Sequence, residues 1–263
     1  MTRTVLLVGL LAALIRPAGA ESLEGDRLSR TLDVGKQPTV EVQSPAGEIR
    51  ASSAEQRRVE LKVVKEGGTP AARAALKVEL TADARQVRLK AQCSAEGLCT
   101  GVKVLVQLRV PSDASFSAAL LNGPIKVAGR LTAVSARTMN GPIEVHGVGR
   151  ATLDLQSVNG GVSGSGLSGR IAVRTVNGAV RLQLVAPLKE AVGVSTVNGK
   201  VQLYVDGKAS ATVQAATVTG QLRSTLPLSQ AEKSSRHLKG RLGAGGPNLV
   251  ARTVNGAIEL HPK

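Results

Sequence analysis

The sequence predicts an all-β protein, and within that class a β-solenoid of two-strand coils about 18–21 residues long, preceded by an N-terminal antiparallel β-hairpin extension. Three observations lead there. The first is a returning Asn-Gly pair, at Asn122-Gly123, Asn140-Gly141, Asn159-Gly160, Asn177-Gly178, Asn198-Gly199 and Asn255-Gly256, with Thr219-Gly220 as a variant copy. Successive spacings are 18, 19, 18, 21, 21 and 36, and a fixed period near 20 residues marks a repeat architecture. The second is period-two alternation on both sides of each turn, which gives two half-buried strands per copy. The third is that equivalent positions carry like side chains.

Aligned on the Asn, the columns are legible. Six residues before it stand Phe116, Val134, Leu153, Ile171, Val192, Val213 and Leu249; three after it stand Ile125, Ile143, Val162, Val180, Val201, Leu222 and Ile258. Two before it come Thr138, Ser157, Thr175, Thr196, Thr217 and Thr253, which predict a hydroxyl ladder beside a ladder of Asn amides. Asn-Gly is also the strongest short hairpin signal, so an antiparallel meander or β-sandwich is the alternative. Column identity favours the solenoid, because stacking at roughly 4.8 Å rewards like upon like, whereas a meander separates equivalent residues by two strands. Each turn glycine is expected to supply positive φ at its corner. GSGLSG, 164–169, matches GxGxxG but opens no helix, and is read as a chance match.

Upstream, TVEVQSPAGEIRA from Thr39 has the grammar of a coil with Ala46-Gly47 at its turn. Longer alternating runs follow, so 21–118 reads as an N-terminal β region continuous with the repeats of 119–263. The doubled spacing before Asn255 is assigned to an inserted polar loop at about 226–247, with the last coil closing at the C-terminus.

Residues 1–20, with Arg3, an apolar run from Val5 to Ile15 and Ala18-Gly19-Ala20, match a secretory signal peptide. The run is too short to span a bilayer and no later segment comes closer, so no transmembrane segment is expected. Export to the periplasm, the outer surface or the medium suits Cys93 and Cys99, which would pair in an oxidising compartment and staple a hairpin tip. Free thiols are the other reading, and a metal site lacks a nearby His.

The chain carries 34 basic and 19 acidic residues, a net charge of +15; removing the leader, with two basic residues, leaves +13. That balance favours anionic partners. Phe116 and Tyr204 are the only aromatics, so stacking platforms for bases are absent and no specific nucleic-acid partner is expected. From Asn122 to Arg223 the acids are Glu144, Asp154, Glu190 and Asp206, no two in one column of adjacent coils, and His146, His237 and His261 stand in unrelated positions. Neither paired carboxylates nor a Ser-His-Asp arrangement follows, so no catalytic residue, cofactor or metal is assigned. The basic residues are better ordered. Arg130, Arg150, Arg170, Lys189 and Lys208 recur every 19 or 20 residues, one per coil near the same connecting corner. They form a candidate rail for anionic polysaccharide or lipopolysaccharide; the plainer reading is a set of solvated corners that discourage edge-to-edge aggregation.

The segments VEVQSPAGEIR, VQLRVPSDASF, RTVNGAVRL and LKGRLGAGGPNLVARTVNGAIEL resemble the bacterial β-strand-repeat "putative adhesin" family, domain of unknown function 4097, over roughly Thr39 to Leu260. The resemblance implies an exported or envelope-associated β-solenoid with no established activity and no catalytic residues to carry over. The two cysteines are a departure from the family pattern. The function expected is therefore structural or adhesin-like and non-enzymatic. A protein-interaction module that docks an envelope protein of a sensing system is the first alternative, and a glycan-processing β-helix enzyme the second.

Overall fold

The computed structural model describes residues 21–22, 25–95 and 97–263; the leader assigned to residues 1–20 lies outside them. Strands dominate the described residues, joined by turns and bends, with one short helix, Pro70–Ala75, capped by Thr69 Oγ1 accepting the Ala72 amide at 3.1 Å. No helix among them is long and apolar enough to cross a membrane.

The strands stack as nine coils that share two sheets, one built from the segments before each turn and one from those after it. In stacking order, coil 1 is Gln86–Cys93 with Val102–Pro111, and coil 2 is the single bent strand Thr39–Ala54. Coil 3 is Ser115–Asn122 with Ile125–Ala128, coil 4 Ala133–Asn140 with Ile143–Gly149, and coil 5 Thr152–Asn159 with Val162–Leu167. Coil 6 is Ile171–Asn177 with Val180–Leu184, and coil 7 Val192–Asn198 with Val201–Val205. Coil 8 is Asn248–Asn255 with Ile258–Pro262, and coil 9 Ala211–Thr217 with Leu222–Ser224.

All contacts between successive coils are parallel, and in register except where the post-turn strands of coils 4 and 5 bulge near their ends. Val134 lies between Phe116 and Leu153, Asn140 between Asn122 and Asn159, and Ile143 between Ile125 and Val162. The solenoid reading therefore holds, and parallel pairing excludes the antiparallel meander. The columns six before and three after the turn are buried throughout, joined by Val127, Val145, Leu182, Leu203 and Leu260 two positions further on. In coil 5 that last position is Gly164, where a Cβ would come within 2.8 Å of Leu167 Cδ1, so Leu167 fills the gap from a bulge in its own strand. GSGLSG thus belongs to a strand and its exit corner.

Chain order and stacking order part at both ends. Thr39–Ala54 precedes Gln86–Pro111 in the chain yet lies between it and coil 3, pairing with Val87 on one side and Phe116 on the other through Val40. At the far end the C-terminal coil is not terminal in space. Asn248–Pro262 fits between coils 7 and 9, so Leu249 pairs with both Val192 and Val213.

Antiparallel strands close the ends. Arg58–Gly67 and Arg27–Asp33 extend the post-turn sheet beyond coil 1, and Leu76–Ala82 extends the pre-turn sheet. Where the sequence suggests an inserted loop, Leu228–Lys233 and His237–Leu242 form a hairpin whose second strand pairs antiparallel with Ala211–Thr217. Its inward positions are Leu238, Gly240 and Leu242, and the central glycine hides the alternation.

Two corner expectations are corrected. Among the turn glycines only Gly123, and Gly47 in coil 2, have positive φ. At Gly141, Gly160, Gly178, Gly199, Gly256 and Gly220 a Cβ would instead collide with the backbone carbonyl of the turn glycine in the neighbouring coil. Close approach, not backbone handedness, fixes glycine there. The hydroxyl column does not bond to itself either. Thr138, Ser157, Thr175, Thr196, Thr253 and Thr217 are buried and each donates to a neighbouring turn-glycine carbonyl, at 2.9–3.3 Å. The Asn amides do form the expected ladder, with links of 2.7–2.9 Å from Asn140 to Asn122 and onward to Asn255.

Candidate functional site

Cys93 and Cys99 are bonded, but not at a hairpin tip. The strands they follow and precede pair with different halves of Thr39–Ala54, Gln86–Cys93 in the pre-turn sheet and Val102–Pro111 in the post-turn sheet. The disulfide therefore closes the turn of coil 1, where an Asn-Gly corner stands in the later coils.

The five corner cations are all exposed and all lie in connections from the post-turn sheet to the next pre-turn strand. That edge of the coil is opposite the Asn-Gly corner. Arg130 and Arg150 lie in neighbouring connections but one residue out of register: Thr152 pairs with Ala133, so Arg130 stands three residues before its pairing position and Arg150 two before its own. Arg170 is offset: its carbonyl accepts the Leu153 amide at 2.8 Å, placing it beside Thr152, and its guanidinium pairs with Glu190 at 3.4 Å. Lys208 lies in the connection from coil 7 to coil 9, which bypasses coil 8, and its amide is capped by Asp206 at 2.9 Å. Sequence spacing thus brings the cations to one edge as a band, without aligning them in a single column.

The acids disperse. Asp154 lies on the outer face of the pre-turn sheet, held by Arg137 at 2.8 Å and Arg174 at 3.5 Å, while Glu144 lies on the outer face of the post-turn sheet. On that second face an open groove of about 630 Å³ includes Glu60, Lys62, Glu144 and His146. His146 Nδ1 is 2.9 Å from Ser165 Oγ in the next coil, but no carboxylate among the described residues contacts the imidazole to orient it as a base. No group of three or more His, Cys, Asp or Glu side chains among the described residues is placed to hold a metal.

A network spanning coils 6 to 8 was not legible in the sequence. Glu259 accepts Lys200 Nζ at 2.8 Å and Gln202 Nε2 at 2.9 Å, and lies 3.6 Å from His261 Nε2. Arg181 donates to Gln202, and the Tyr204 and His261 rings stack with centroids 5.3 Å apart. The Lys200 hydrogen bond, followed by that of Gln202, lowers the Glu259 carboxyl from 4.5 to about 2. Every member is engaged with another member, which suits a brace between coils.

The feature most plainly missed stands one residue before each turn Asn. Leu121, Met139, Val158, Val176, Val197, Val254 and Val218 point outward, 40–57% exposed, in register from coil 3 to coil 9. Hydropathy is inverted here: the buried member of each Thr-Val pair is the hydroxyl residue, satisfied by a glycine carbonyl, and the exposed member is aliphatic. The motif TVNG carried the signal all along.

Residues 39–261 match the sequence pattern of the Toastrack family, domain of unknown function 4097, and the chain belongs to that family. Among curated proteins none is significantly similar in sequence. Solved structures of like architecture include a "putative cell adhesion protein" from Clostridium sporogenes, 10% identical with a TM-score of 0.43, covering 94% of this chain and 100% of that one. A "putative adhesin" from Bacteroides fragilis is 11% identical with a TM-score of 0.41, covering 90% of this chain and 98% of that one.

Proposed function

We propose that this chain is an exported, non-enzymatic, adhesin-like component of the cell envelope, binding anionic glycan or lipopolysaccharide through its corner cations. One observation carries this reading: Arg130 and Arg150 stand exposed in neighbouring connections along one edge of a chain of net charge +15, and among the described residues neither has an ion-pair partner. Cations held side by side without carboxylates repel weakly in water, and a polyanion relieves that repulsion while releasing its own counterions. The disulfide supports an oxidising destination. The dispersal of acids and histidines supports a binding role over catalysis, since hydrolysis of a glycan needs two carboxyl groups facing one bond.

The test is binding to a panel of envelope polyanions across a salt series, beside a variant with Arg130, Arg150, Arg170, Lys189 and Lys208 changed to Ser. The reading expects tight binding that weakens steeply with salt, and a weaker, shallower dependence in the variant. Equal binding by both proteins, or none by either, returns the corners to a solubilising role.

A further inference from the structure

The exposed aliphatic column has no role in the polyanion reading, and it lies at the opposite edge of the coil from the corner cations. Its seven rungs, stacked at roughly 4.8 Å, run for about 29 Å along one edge of the pre-turn sheet. One flank is the neutral Asn ladder, whose amides are already spent on one another. The other flank is the column three residues before each Asn, which carries Arg137, Arg174 and Arg252. Along the outer face of this sheet in coils 3 to 9, Asp154 is the one carboxylate among the described residues, held between Arg137 and Arg174. Over the first four rungs the surface opens into a shallow groove of about 710 Å³, with Lys90 on its far wall.

We infer that this face docks the protein onto the surface of an anionic bilayer, with the aliphatic column entering the headgroup region and the arginine column meeting lipid phosphates. A continuous exposed apolar strip on a soluble surface marks an interaction site, and apolar contact beside cations is what anionic membranes bind. Charge complementarity decides the occupant. A second copy would bring an identical arginine column against this one, and a wholly hydrophilic polyanion would leave the aliphatic strip in water. The groove is too open to strip water from a lone acyl chain, whereas a bilayer supplies its own apolar phase.

The experiment is co-sedimentation of the purified protein with vesicles of phosphatidylglycerol and phosphatidylcholine, against vesicles of phosphatidylcholine alone. Two variants accompany it: Met139→Thr, Val158→Thr, Val176→Thr and Val197→Thr together, and Arg137→Gln, Arg174→Gln and Arg252→Gln together. Threonine keeps the β-branch of valine and the strand preference, so an unchanged thermal midpoint confirms that the first variant folds. Expected are binding to the anionic vesicles only and a tenfold or greater loss in each variant. Absence of vesicle binding, equal binding to both vesicle types, or native binding by the threonine variant overturns the inference. A concentration-dependent dimer that the threonine substitutions abolish, without vesicle binding, assigns the strip to a contact between copies instead. None of these outcomes touches the corner residues, so this inference and the polyanion reading fail separately.

Discussion

Asn255 donates its side-chain amide to Asn198 at 2.8 Å, although 57 residues separate them and coil 9 is built in between. The chain leaves coil 7, skips one place, builds coil 9 and its hairpin cap, then returns to fill the gap. Leu260, fully buried, is thereby sandwiched between Leu203 and Ser224. Leu260→Ala is expected to cost about 2–5 kcal/mol, the range for a buried leucine whose site cannot collapse. Hydrogen exchange should show the loss on both sides, in 201–205 and in 211–224. Deprotection confined to the last residues of the chain would contradict the interleaved order.

The turn glycines act through contact between neighbours. Gly160→Ala places a Cβ against the Gly141 carbonyl, and backbone held on both sides by ladder hydrogen bonds cannot move away. The expected loss is about 3 kcal/mol in chemical denaturation, at the upper end for overpacking. Gly207→Ala is the matched control, with nothing within 4 Å of the new carbon, and should fall within about 0.5 kcal/mol of the native protein.

How much of this was legible follows from what a repeat encodes. Columns such as Phe116, Val134 and Leu153 fix register and parallel stacking, because each must meet its like. They do not fix which copy sits on which: any coil presenting the same columns fits any slot, so the exchange of coils 8 and 9 leaves no trace except the 36-residue spacing. Gly240 hid the capping strand by occupying an inward position. Cys93 and Cys99 could be paired from composition, but their place at a coil turn depends on Thr39–Ala54 lying between two elements that follow it in sequence. The Val158 column was overlooked because buried Ser157 and its threonine counterparts invert the usual sorting of polar from apolar.

The disulfide closes a loop with a sequence separation of six residues, between strands already fixed in separate sheets. On the chain-entropy treatment, so small a loop contributes roughly 2 kcal/mol by restricting the unfolded chain. Cys93→Ser with Cys99→Ser is expected to lower the unfolding free energy by that amount, and reductant should do the same to the native protein while leaving the variant unaffected. Loss of the whole fold on reduction would mean that coil 1 nucleates the stack.

Glu259 links acid stability to the C-terminal coil. Its carboxyl is lowered from 4.5 to about 2, first by Lys200, then by Gln202 and with a smaller part from His261, while Arg223 on the adjacent coil 9 strand donates to Gln221 instead. A group whose folded value is depressed stabilises the fold fully above its unfolded value, and that contribution is lost as pH falls. The window is therefore from about pH 4.5 down to about pH 2. Glu48, lowered chiefly by its hydrogen bond with Arg50, and Asp83, lowered by the Arg85 and Gln86 amides, act in the same direction elsewhere in the chain. Glu259→Gln should accordingly reduce stability at pH 7 and retain a shallower acid slope from those two groups. Its denaturation midpoint should converge with that of the native protein near pH 2. Parallel midpoint curves across the whole window would show that the Lys200 contact contributes nothing that depends on the charge of Glu259.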